Sequence, residues 1–281
     1  SYKCLTNREA EKIALDLSYS GLELMMPPLK FLSKNKSDRD DKYNNLQAVK
    51  SVHAPFLTVF NRDYFRSLNF AIKAAQATNT KLINIHPYSM RLIFGGRSAQ
   101  EKAAQKITQL EKNTELTIAV EVMNRPRPPL KKLWRRYLQQ PFKGPDEWVA
   151  YVKRHGLHAT LDVTHIATWK QNPIDYINKL GSHLSHVHFS DYREDINTEH
   201  LIPGTGDIDC QAFLRNLNQV APAITVTLEL NPVDTREEVI SSAQQSINYI
   251  HSNFNTKISH LKRVLDNQCL NYAFFKCLNF V

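Results

Sequence analysis

Short apolar runs rich in β-branched residues alternate along the chain with longer stretches whose apolar positions recur at helical spacing. The runs at 21–26, 48–56, 81–87, 116–124, 158–166, 184–191 and 224–231 have strand length. Helical patterns at 7–18, 62–78, 98–112, 145–154, 173–180, 211–219 and 236–253 separate them, with start signals at Asp63 and Asp209. This alternation predicts parallel strands joined by helical crossovers. Seven such strands end with the helix closing near Phe254, whereas a barrel built this way has eight strands and takes about 250 residues. The expected fold is an α/β (β/α)8 TIM barrel lacking its first strand in this chain; a barrel that closes differently is the alternative. Residues 1–254 form the expected barrel, and 255–281 an extension of unknown role whose apolar end would pack on the body or on a partner.

Two segments break the rhythm. Residues 27–45 read as a polar loop, and 125–144 carries four prolines and is too long for an ordinary barrel loop. The second segment also concentrates charge. The 281 residues hold 36 basic and 27 acidic side chains, net +9, of which +7 falls in 125–143 and +3 in the tail from Asn255, leaving −1 for the remainder. A surface that coats nucleic acid spreads its cations more widely, so the balance argues against that partner without closing the option. An apolar share of 42% excludes a largely disordered chain. No apolar run reaches the roughly 18–20 residues that span a bilayer, so no membrane partner is expected. Four cysteines without CxxC spacing fit a reducing compartment, and the expected location is cytoplasmic.

The candidate chemistry collects at the C-terminal ends of the strands. His53, His86, Glu121, Asp162 with His165, His186 with His188, and Glu229 all fall there. In a parallel barrel these ends share one rim, where active sites are built. Carboxylates and imidazoles crowded on a rim need a neutralising partner, and a divalent cation supplies it. Glu121, Asp162, His188 and Glu229 offer three carboxylates and one imidazole, a set that suits Mn, Mg, Co or Zn. Each residue alone is ordinary buried polar structure; six strand ends together are not. His186 shares the face of His188 one layer deeper, where filling the barrel is its expected role.

The ordered motifs Val52-His53-Ala54-Pro55, Ile85-His86-Pro87, Val120-Glu121, Leu161-Asp162-Val163-Thr164-His165, Val187-His188-Phe189-Ser190-Asp191, His200 with Pro203-Gly204-Thr205-Gly206-Asp207-Ile208, and Leu228-Glu229 resemble the xylose isomerase-like TIM-barrel superfamily. That superfamily holds sugar-phosphate isomerases and epimerases and endonuclease IV. The resemblance implies a metal held by Glu121, Asp162, His188 and Glu229, with Glu121 and Glu229 moving protons through an enediolate. It implies a sugar, sugar phosphate or related polyol ketone as substrate, contacted by His53, His86, His165 and His200. Glu23 matches a glutamate common on that family strand, with no role attached.

In the basic segment, Arg125 would contact a phosphate and Trp134 would cover a sugar face; a solvated lid or a DNA contact are the other readings. The Gly204-Thr205-Gly206 run fits neither phosphate-loop pattern and is expected to make a turn. Two further functions stay open. An endonuclease IV-like zinc-dependent abasic-site phosphodiesterase would use the same histidines, but Thr198 stands where that resemblance expects an aspartate. A catalytically inactive barrel fragment that binds metal or carbohydrate is the other. Assembly as a homo-oligomer is also left open.

Overall fold

The computed structural model describes residues 5–26, 43, 45–55, 61–88, 96–126, 142–254 and 272–278. Trp134 and most of both the basic segment and the polar loop that begins at Pro27 lie outside these residues, as does the Asp63 side chain.

The order is α1 (Asn7–Asp16), β1 (Gly21–Met25), β2 (Val49–His53), α2 (Asn61–Ala77), β3 (Leu82–Ile85), α3 (Gly96–Thr114), β4 (Thr117–Glu121) and α4 (Pro145–His155). It continues with β5 (His158–Asp162), α5 (Val163–Thr168), α6 (Pro173–Leu180), β6 (Leu184–Phe189), β7 (Asp191–Arg193) and β8 (Thr198–Leu201). The last elements are α7 (Cys210–Val220), β9 (Thr225–Leu228), α8 (Arg236–Phe254) and β10 (Tyr272–Leu278).

The helices begin and end where their sequences provide for it. Thr6 and Glu9 form a reciprocal capping box on α1. Helix α4 opens with Pro145 and two acidic residues, and closes with Lys153, Arg154 and His155 before Gly156 at φ 63°. Asp209 caps α7 by accepting from Ala212 N–H at 2.8 Å. Between the helices and the barrel lies one continuous core, in which Trp148, Tyr176, Phe189 and Phe213 are fully buried.

Eight parallel strands close the barrel in the order β1-β10-β9-β6-β5-β4-β3-β2. The position that sequence analysis leaves without a strand is filled from the other end of the chain. Strand β10, within the extension 255–281, pairs Gly21 with Ala273 and Met25 with Leu278 on one side, and Val226 with Tyr272 on the other. Seven strands alone would leave two rows of unpaired backbone groups, a standing cost that an eighth strand removes. Local periodicity does not reveal this closure, because the pairing joins segments some 250 residues apart.

Two other elements differ from expectation. The run at 158–166 is a strand only to Asp162, whose Oδ1 then accepts from His165 N–H at 2.8 Å and starts α5. After β6 the chain makes an antiparallel hairpin, β7–β8, outside the barrel. Asp191 anchors the loop that follows: its carboxylate accepts from the backbone N–H groups of Tyr192, Gly204, Gly206 and Ile208 at 2.8–3.1 Å. A Cβ at Gly206 would lie 2.4 Å from Tyr192 O and 2.5 Å from Asp191 Oδ1, so only glycine fits. The glycine run is thus a turn: its two glycine N–H groups are committed to Asp191, and that of Thr205 to Ile202 O. Asp191→Ala should cost about 1–3 kcal/mol by leaving one buried and three part-buried donors without their acceptor. An unchanged midpoint in urea denaturation would contradict this role for Asp191.

Candidate metal centre

Strands β2, β4, β5 and β6 end at or beside His53, Glu121, Asp162 and His188, while β3 and β9 lead directly into His86 and Glu229. Their parallel direction brings all six groups to one end of the barrel. Glu121 is fully buried at the centre. Its Oε2 accepts from Asn84 Nδ2 at 2.5 Å and lies 3.2 Å from His53 Nε2 and 3.5 Å from His86 Nε2. Its Oε1 lies 3.4 Å from His165 Nδ1 and 3.5 Å from His188 Nδ1.

One ligand atom from each of Glu121, Asp162, His188 and Glu229 falls within 4.8 Å of the others. Two features show that this donor set fits a cation. Asp162 spends Oδ1 on the α5 cap and on Thr164, while its buried Oδ2 has no hydrogen-bond partner and lies 3.8 Å from His188 Nδ1. His188 Nδ1 is buried too, and Glu229 Oε2 approaches it to 2.7 Å without the alignment of a hydrogen bond. Asp162 Oδ2 and His188 Nδ1, buried in this way, cost free energy unless a partner is supplied, and one cation bound by both would supply it. His53 adds to the argument. Its Nδ1 lies 2.8 Å from Ala54 O, where it donates, so a neutral ring turns a lone pair from Nε2 toward the Glu121 carboxylate. That contact needs a second proton or a cation.

The electrostatics agree. Burial works against a charged His188, yet Glu23, Glu121 and Glu229 outweigh it and push its pKa well above the usual imidazole value. Burial likewise opposes charge on His165, and Asp162, Glu121, Glu199 and Glu229 raise its pKa in spite of that. Deeper in the barrel, burial pushes His186 down to about 3, with Glu23 only partly opposing, and its Nε2 lies 2.8 Å from Thr227 Oγ1. A neutral His186 fits the filling role expected of it.

His165 and His200, with Asp162, make a further group close enough to share an ion. His200 takes the left-handed backbone conformation, φ 59°, and its Nδ1 lies 3.3 Å from Ser190 Oγ. Arg125 is exposed just beyond β4, and its backbone N–H donates to Thr168. The cluster also contains residues that sequence reasoning passed over. Glu199 is buried, with Oε2 accepting from Asn124 at 2.9 Å and lying 3.8 Å from His165 Nε2. It sits on the unforeseen hairpin, where nothing in a polar stretch marks it. Asn84 carries a readable signal: a polar residue in an apolar strand, two positions before His86 and so on the same face.

Comparison with known proteins places this barrel. The family model described as the xylose isomerase-like TIM barrel matches residues 17–250. The chain belongs to this family. Its similar curated relatives include an uncharacterized protein of Mycobacterium leprae, 26% identical over 257 residues covering 81% of this chain and 85% of the relative. Another, from Mycobacterium tuberculosis, is 27% identical over 211 residues, covering 68% and 71%. Among solved structures, a D-tagatose 3-epimerase-like protein is similar at TM-score 0.64 and 20% identity, covering 90% of this chain and 94% of its own. The IolI protein with a zinc atom bound matches at TM-score 0.67 and 13% identity, covering 90% and 96%. An L-ribulose 3-epimerase matches at 0.65 and 13%, covering 94% and 95%. At these identities the structural likeness establishes the fold of this family member.

Proposed function

We propose that the chain is a divalent-metal-dependent isomerase or epimerase of a sugar, sugar phosphate or related polyol ketone. The observation that carries this reading is the convergence of Glu121, Asp162, His188 and Glu229 on one point at the rim. These four residues would hold Mn, Mg, Co or Zn. When bound, such a cation offsets the negative charge that develops on adjacent substrate oxygens as a carbon-bound proton leaves.

The remaining work falls to the chain's own groups. Glu121 and Glu229 are the carboxylates assigned to remove and return the proton. Asn84 restrains Glu121 at Oε2, so its other oxygen keeps a fixed direction. His53, His86, His165 and His200 surround the same point and orient substrate hydroxyls. Arg125, and Trp134 outside the described residues, are assigned to a phosphate and a sugar face. The sugar epimerases among the structural neighbours, including a D-allulose 3-epimerase solved with D-allulose, support the substrate class.

Proton NMR in D2O tests this reading on a panel of ketoses and their phosphates. Metal-loaded protein should exchange one carbon-bound proton for deuterium and form an epimer or isomer. Absence of exchange across the panel, with metal bound, would favour a binding barrel without turnover.

A second reading is supported by one specific observation. His53, His86 and Glu121 form one potential ion site, and Asp162, His165 and His200 another, each sharing one residue with the central four. An abasic-site phosphodiesterase of the endonuclease IV type would use three such sites. Thr198 in place of the aspartate weakens the last of them. Two or three zinc ions per chain together with nicking of abasic DNA would establish this alternative.

A further inference from the structure

Glu23 is fully buried in β1, paired in register with Ser51 of β2, and takes no part in the four-residue cluster. A buried carboxylate is costly, so what it faces is informative. Its Oε2 accepts from Ser51 Oγ at 2.6 Å and lies 3.7 Å from His186 Nε2. Its Oε1 lies 3.2 Å from Nε2 of His188. The opposite nitrogen of that ring, Nδ1, faces Glu229 at 2.7 Å, Glu121 at 3.5 Å and Asp162 at 3.8 Å.

One imidazole therefore stands between two acidic environments, and its two nitrogens cannot play the same part. A ring that ligates through Nδ1 keeps its hydrogen on Nε2, and that hydrogen needs an acceptor. Among the described residues, the groups placed near Nε2 are Glu23 Oε1 and, at 3.4 Å, Asn84 Nδ2. Asn84 Nδ2 is a donor already engaged with Glu121 at 2.5 Å. Of these two, only the carboxylate can accept.

We propose that Glu23 is a positioning residue for His188, holding Nε2–H so that the Nδ1 lone pair points at the metal cradle. Ser51 fixes the carboxylate in turn, so the arrangement runs Ser51, Glu23, His188, metal. This inference rests on the metal-centre reading and adds to it a residue outside the ligand set. It also explains why a charged group is retained at full burial beneath the rim. Partners of this kind raise a ligand's basicity, and their loss costs about ten- to a hundredfold in metal affinity.

The test is Zn2+ and Co2+ affinity, measured by competition with a chromophoric chelator, for the full chain, Glu23→Gln and Ser51→Ala. Glu23→Gln keeps the shape and removes the charge. It should weaken binding ten- to a hundredfold, read at a temperature where circular dichroism shows both metal-free chains folded, since the variant also loses the Glu23–His188 ion pair. Ser51→Ala should weaken binding by a smaller factor and guards against a Glu23→Gln chain that does not fold. In the zinc-loaded full chain, the histidine side-chain 15N spectrum should show His188 protonated at Nε2. Equal affinities in all three proteins would overturn the positioning role while leaving the metal centre standing; a His188 proton on Nδ1 would overturn both, since Nδ1 is the nitrogen that faces the three carboxylates. A full chain that binds neither metal would overturn both.

Discussion

Under the proposed function, Glu121→Gln is expected to lower ketose turnover by about a thousandfold or more, since general acid–base groups contribute roughly 10²–10⁴. The substitution is close to isosteric, but its consequences at this position are severe. The amide removes the charge toward which His53, His86, His165 and His188 converge at 3.2–3.5 Å, and it puts an NH2 group where an acceptor stood. Asn84 Nδ2, 2.5 Å from Oε2, would then meet a donor if the amide nitrogen took that place. Steady-state kinetics with the best ketose, beside deuterium wash-in, measures the effect. A variant within tenfold of the original rate would remove Glu121 from the proton-transfer role.

Truncation after Phe254 should have the largest effect on stability. It deletes β10 and uncovers the edges of β1 and β9 together. Each lost backbone hydrogen bond is worth about 1 kcal/mol net. Several lost together approach the roughly 5–15 kcal/mol that holds a domain folded. The newly open edges are also templates for aggregation. Because β1 carries Glu23 and β9 leads into Glu229, metal affinity should fall with stability. Calorimetry of the truncated chain should show a broad, low-temperature transition in place of a cooperative one. A melting temperature within a few degrees of the full chain would mean that the barrel does not depend on β10.

How far these features can be read in the sequence depends on how local their causes are. The strands holding Glu121 and His188 are short β-branched runs, and their positions follow from periodicity because each strand buries both faces. Caps made by Thr6, Asp209 and Gly156 act within a few residues and are legible for the same reason. His165 illustrates the limit. Its apolar neighbours Val163 and Ile166 read as more strand, yet the Asp162 side chain turns the backbone into α5, so one carboxylate both caps a helix and faces the cluster. Glu199 was hidden by a hairpin whose few residues have no periodicity. The contact between Glu23 and His188, and the closure by β10, are long-range facts that no local pattern encodes.

The central claim is that Glu121, Asp162, His188 and Glu229 form one metal site. The direct measurement is metal content by mass spectrometry on protein purified without added metal, for the full chain and Glu229→Ala. About one Mn, Co or Zn per chain, lost in the variant whose Oε2 no longer stands 2.7 Å from His188 Nδ1, is the predicted result. A full chain that stays metal-free even after loading, or a variant that keeps its metal in full, would contradict it.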